Sequence, residues 1–213
     1  MSFKPLILAA LLSLTPAAPL LAAPLDEAVT ALQLEWEQIR YQLPTKQREG
    51  RFEQLAAKAH RASEQHPGRA EALIWEGIVL SSWAGEKGGL GALGLVKQAK
   101  ALYEKAIAID AKAMDGSALN SLGVLYYKVP GWPLGFGDKD KARELLLRAL
   151  AVNPQGIDAN YFYAEFLVES RQPDLALPYL ERVLQAPARP GRPLADEGRR
   201  DEARALMAQL KKT

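Results

Sequence analysis

Apolar positions recur along the chain with helical spacing, and the spacing itself repeats. Ala142, Leu146, Ala149 and Leu150 fall on one helical face, and Asn153-Pro154 ends that helix. Moving on 34 residues, Ala176, Leu180, Val183 and Leu184 repeat the pattern, closed by Pro187. Upstream, Ala99, Tyr103, Ala106 and Ile107 match it and end near Asp110. A fainter copy, Leu55, Ala59 and Ala62, precedes His66-Pro67.

Each such helix has a partner just before it. Leu73, Gly77 and Leu80 make the earliest clear one. Leu119, Leu122, Gly123 and Tyr126 make the next, then Tyr163, Ala164 and Leu167. A mid-helix glycine costs roughly 1 kcal/mol against alanine, so Gly77 and Gly123 predict close helix approach. This small–apolar code at a 34-residue period resembles the tetratricopeptide repeat. The resemblance implies an all-α, tetratricopeptide-like α-solenoid of antiparallel helix hairpins.

The period breaks twice, each time at the turn inside a hairpin. Ala164 and Ala176 stand 12 residues apart, whereas Gly77 and Ala99 are 22 apart and Gly123 and Ala142 are 19. The surplus falls in two Gly-rich insertions, residues 84–94 and 129–138. Equivalent turns share one edge of a solenoid, so these loops are expected side by side, and such an edge often carries function.

The ends read differently. Asp26 to Tyr41 predicts an amphipathic helix with Leu32, Leu34, Trp36 and Ile39 on its apolar side, ended by Pro44, with Thr45 capping the next helix. Pro178 is expected to bend or weaken the start of the helix around Leu175–Ala186. Residues 188–193 cannot be helical, and a capping helix follows over about 196–211. Residues 1–23 have one cation, Lys4, then an apolar run from Pro5 to Leu14 and small residues up to Ala23. That is a secretory signal layout, too short and too Pro-broken to span a bilayer. The expected organisation is a signal peptide, 1–23, and one helical repeat domain, 24–213. The expected location is the periplasm, soluble and without a lipid anchor, because no cysteine follows the run.

Composition removes most chemistry. The absence of cysteine excludes thiolate metal sites, disulfides and thiol nucleophiles, and two histidines cannot form a three-histidine metal site. A net charge of +2 gives no reason to expect nucleic acid. Gly89-Leu90-Gly91-Ala92-Leu93-Gly94 spells G-x-G-x-x-G, but a helix precedes it where a dinucleotide site needs a strand. Asp138 reads as the N-cap of the helix carrying Ala142. His60 and His66 read as exposed side chains, and no hydrolase or phosphate-loop motif occurs. No catalytic residue, metal site or cofactor is assigned, and enzyme activity is not expected.

Binding residues are more legible. In a tetratricopeptide-like arrangement the first helix of each hairpin lines the concave groove. The groove positions are Ile74, Ile78 and Ser81, then Asn120, Val124 and Tyr127, then Tyr161, Glu165 and Val168. Trp83 borders the first insertion, and Trp132 and Phe136 lie in the second. Grooves that take charged peptide termini carry Lys, Arg and Asn, whereas this one reads as aliphatic and aromatic. It calls for an apolar cover, whether a hydrophobic ligand, a partner segment, or the chain's own insertions and tail. Arg189, Arg192, Arg199 and Arg200 could bind an acidic partner or phosphate, but a solvated capping helix with i to i+4 pairs accounts for them more simply.

Together, the exported helical repeats, the long Gly-rich turns, and Val129–Asp138 followed by Lys139-Asp140-Lys141-Ala142 resemble the T-component proteins of TRAP transporters, over roughly residues 50–187. That resemblance implies a periplasmic accessory associating with a substrate-binding protein, a ligand cleft or pore through each protomer, hydrophobic ligands and homo-oligomers such as trimers. The function expected is therefore a non-enzymatic binding or adaptor protein. A pure protein–protein scaffold with a self-filled groove is the alternative, and a hydrolase with an unrecognised site the weakest one.

Overall fold

The computed structural model describes residues 24–211, so the expected signal segment lies outside the described residues. Among the described residues the regular structure is helical: α1 (Leu25–Tyr41), α2 (Thr45–Gln65), α3 (Ala70–Lys87), α4 (Ala92–Asp110), α5 (Ala113–Lys128), α6 (Lys139–Val152), α7 (Ile157–Glu169), α8 (Leu177–Gln185) and α9 (Pro193–Leu210). Consecutive helices form antiparallel hairpins, and the inner helices α1, α3, α5 and α7 pack on one another in that order. The chain is an α-solenoid of tetratricopeptide-like hairpins.

Close approach within the hairpins follows the small residues. A Cβ at Gly77 would lie 2.6 Å from the Tyr103 ring, and one at Gly123 would lie 2.8 Å from Leu146. Tyr103 is wholly buried, and its hydroxyl shares a 3.0 Å hydrogen bond with Ser81 Oγ, so the large residue of α4 fills the space that α3 leaves open.

The two insertions differ. Ala84–Lys87 continue α3 and Ala92 already begins α4, so only residues 88–91 make the first turn. Residues 129–138 form a loop fastened by Gly137 N–H to Pro130 O (2.9 Å) and Asp138 N–H to Tyr126 O (2.8 Å). The Asp138 carboxylate then accepts from the N–H groups of Asp140 and Lys141, capping α6 as the sequence predicts. Thr45 is the first residue of α2 and caps nothing, because Pro44 occupies the cap position. Leu34 points outward, half exposed; the apolar side of α1 is Leu25, Val29, Leu32 and Ile39. Pro178 sits in the first turn of α8, preceded by a 3-10 turn at Pro173–Leu175, where a missing N–H does no harm.

The C-terminal helix departs furthest from expectation. α9 keeps a solvated outer face, where Arg204 pairs with Glu197 and Asp201, but its other face packs on α7, α8 and α1. Its Gly198 lies so near Tyr41 of α1 that a Cβ there would be 2.3 Å from the ring. Asp196 is 1% exposed and Arg199 8%. The last helix therefore closes the solenoid onto the first.

Candidate functional site: a groove closed by its own tail

This closure narrows the concave side to a partly open cavity of about 700 Å³. Its wall comes from all four inner helices: Trp36 and Tyr41 on α1, Trp75, Ile78 and Ser81 on α3, Asn120 and Val124 on α5, and Tyr161, Phe162 and Glu165 on α7. Arg189, Arg192 and Arg199 complete it from the tail. The heptad-like repetition of inner-face positions places six of the predicted residues on this wall: Ile78, Ser81, Asn120, Val124, Tyr161 and Glu165.

The other predicted residues lie elsewhere. Ile74 is wholly buried in the core and does not line the groove. Tyr127 is buried beside the wall, where its hydroxyl donates to Glu165 Oε2 at 2.5 Å. Trp83 packs against the core with the Lys87 ammonium 5.8 Å from its ring centre, and Val168 also packs against the core. Phe136 stands edge-on to Tyr126 at 5.5 Å on the outer side, and Trp132 is 91% exposed. The insertion loop thus contributes nothing to the cavity wall.

The wall is more polar than the sequence reading allows. The Asp158 carboxylate receives Arg189 Nη1 at 2.6 Å and Arg199 Nε at 2.8 Å. Arg189 also binds Asp196 (Nε, 2.6 Å), and its backbone N–H reaches the same carboxylate at 2.7 Å. Arg192 pairs with Glu37, a 1% exposed side chain of α1, and lies 5.3 Å over the Trp75 ring. Arg199 stands 4.6 Å over Tyr161 and 4.4 Å over Phe162, and Glu202 links it to Arg40 of α1 (2.5 and 2.8 Å). Burial alone would raise the Asp158 carboxyl, but the Arg189 and Arg199 charges outweigh it and hold it well below the usual carboxylate range. Burial, reinforced by nearby Glu165, pushes the Tyr161 and Tyr127 hydroxyls up, so both remain protonated donors. Burial opposes the Lys128 charge, yet Glu165 and Glu169 outweigh it and raise its ammonium.

Chemically this is a recognition surface: aromatic faces, protonated phenols and compensated ion pairs. Among the described residues no cluster of His, Asp or Glu is arranged to hold a metal ion. Sequence reasoning missed the arginines as groove-facing, and with them the wall aromatics Trp36, Tyr41, Trp75 and Phe162. The sequence signal of the arginines, basic density after a Pro-Gly break, is shared by any solvated cap.

No family model matches the chain, and no curated protein matches it either. Among solved structures, that from the functional characterization of Pseudomonas aeruginosa PilF is 19% identical, with 88% of this chain and 92% of that chain covered. Its TM-score is 0.35, which carries no argument, so the architecture rests on the packing of the helices themselves.

Proposed function

We propose that the chain is a non-enzymatic binding or adaptor protein of the periplasm. Its groove takes a small, largely hydrophobic molecule or a segment of a protein partner. The observation that carries this reading is the cavity of about 700 Å³ walled by the four inner helices, with aromatic side chains from α1, α3 and α7, a size and lining that suit a small organic molecule. Solenoids of this kind present concave recognition surfaces, which supports binding over catalysis. The TRAP T-component resemblance supplies the compartment, a substrate-binding protein as partner and a homo-oligomeric state. The test is native mass spectrometry of the full chain purified from a periplasmic extract. A retained small-molecule mass is the expected result; a clean protein mass under conditions that preserve other ligand complexes would remove the small-molecule reading.

A second reading, a pure protein–protein scaffold with a self-filled groove, is favoured by one observation. The arginines of the tail already lie on the aromatic faces of Trp75, Tyr161 and Phe162. A clean protein mass together with a specifically copurifying protein would support it.

A further inference from the structure

The tail segment Ala188–Pro193 runs along the rim of the groove with its backbone exposed and its two arginines, half-buried, turned onto the wall. Residues 188–192 are non-helical, as Pro187 and Pro190 with Gly191 at φ +71° require, and Pro193 opens α9. The segment places two arginines three residues apart against acceptors of the solenoid body. Arg189 reaches Asp158, and Arg192 reaches Glu37 with its guanidinium over Trp75. The planar fork of arginine suits both a carboxylate and an aromatic face, which a lysine would not match. The polarity is the reverse of a groove that holds peptide carboxylates: here the body supplies acids and rings and the occupant supplies guanidinium groups.

We propose that this groove is a receptor for an extended, arginine-bearing segment of a partner protein, and that the chain's own Ala188–Pro193 occupies it in the free state. The inference rests on reading the groove as the binding site. It names the protein partner's chemistry, an Arg-x-x-Arg strand rich in proline. The partner's segment competes with a tethered copy, whose effective concentration is of millimolar order for a short tether. Binding by the intact protein is therefore weak until the tail is withdrawn, so the same contacts both recognise and hold in check.

The experiment uses the full chain and a labelled peptide with the sequence of Ala188–Pro193, followed by fluorescence anisotropy. The double variant Arg189→Ala/Arg192→Ala removes the internal competitor and leaves Glu37, Asp158 and Trp75 in place. It is expected to bind the peptide at least ten-fold more tightly than the unaltered chain. Adding Asp158→Asn should lose at least ten-fold, and a peptide with both arginines replaced by glutamine should not bind. A folded double variant that ignores the peptide at millimolar concentration, or that binds the glutamine peptide equally, overturns the proposal. If the double variant does not fold, hydrogen exchange on the unaltered chain decides. Faster exchange of residues 187–193 with excess peptide supports displacement, and unchanged exchange overturns it. A dimer that forms by exchanging α9 between copies while the peptide has no effect also overturns it. Failure here with a small molecule still retained in native mass spectrometry leaves the cavity reading intact; loss of both removes the two together.

Discussion

The concave groove and the 129–138 loop use similar residue types to opposite ends. The groove buries aromatic rings beneath charged side chains delivered from distant parts of the sequence: Arg192 to Glu37, Arg40 to Glu202. The loop is local, fastened by its own backbone hydrogen bonds, and holds Trp132 91% exposed and Leu134 63% exposed. Glycine and proline let the loop turn and display its side chains. The cavity is assembled by helix packing and then covered by α9. Local breakers shape the 129–138 edge, while the groove is built from long-range pairs.

The largest effect that separates the two regions is expected at Glu37. Its carboxylate holds Arg192 and also accepts from the Ala195 N–H at 3.3 Å, so Glu37→Ala leaves a guanidinium and a backbone donor without their partner. A loss of about 3–5 kcal/mol in urea unfolding is expected, as when one member of a buried pair is removed. A loss under 1 kcal/mol would mean that the tail is held mainly by apolar contact.

A smaller, pH-dependent effect belongs to Asp158. Its folded-state carboxyl is held below the unfolded value of about 3.9, so the folded state favours the ionised form. The stabilisation is complete above that value and is lost as the pH falls below it toward the folded value. The gap in urea midpoint between the unaltered chain and Asp158→Asn should be open at pH 7 and narrow steadily below about pH 4. A gap that is the same at pH 7 and pH 3 would show that the ion pairs do not hold the closure.

The smallest effect is expected in the loop. Trp132→Ala touches no buried contact and should change stability by no more than about 0.5 kcal/mol, with small-molecule retention unchanged in native mass spectra. A large loss of retention would place the loop over the cavity in solution and dissolve the contrast between the two regions.

The hairpins were legible because their information is local. A 34-residue period, small residues at Gly77 and Gly123, and the helical spacing of Ile78, Val124, Tyr161 and Glu165 all follow from how one helix meets its neighbour. The burial of Ile74 was not legible, since Ile74 and Ile78 lie one turn apart on the same stripe of α3 and differ only in which neighbouring elements cover them. Nor was the role of α9. Whether a basic last helix floats in solvent or lies across the groove depends on the rotation accumulated over four hairpins, and only Asp158 and Glu37, far away in sequence, reveal it. The aromatic insertion misled for the converse reason: Trp132 and Phe136 lie close to the groove residues in sequence, but the backbone of residues 129–138 turns them to the outer side.

The meeting of Gly198 with Tyr41 has a consequence for how the protein comes to exist. An open solenoid can lengthen one hairpin at a time and fray from either end, each repeat answering only to its neighbours. Here the earliest described helix waits for the latest before the ring is complete. During synthesis α1 to α7 can stack as they emerge, yet their concave side lacks its last wall until the α9 segment is released. A chain that stops short of Arg199 would leave Asp158 with one arginine in place of two and Arg40 without Glu202.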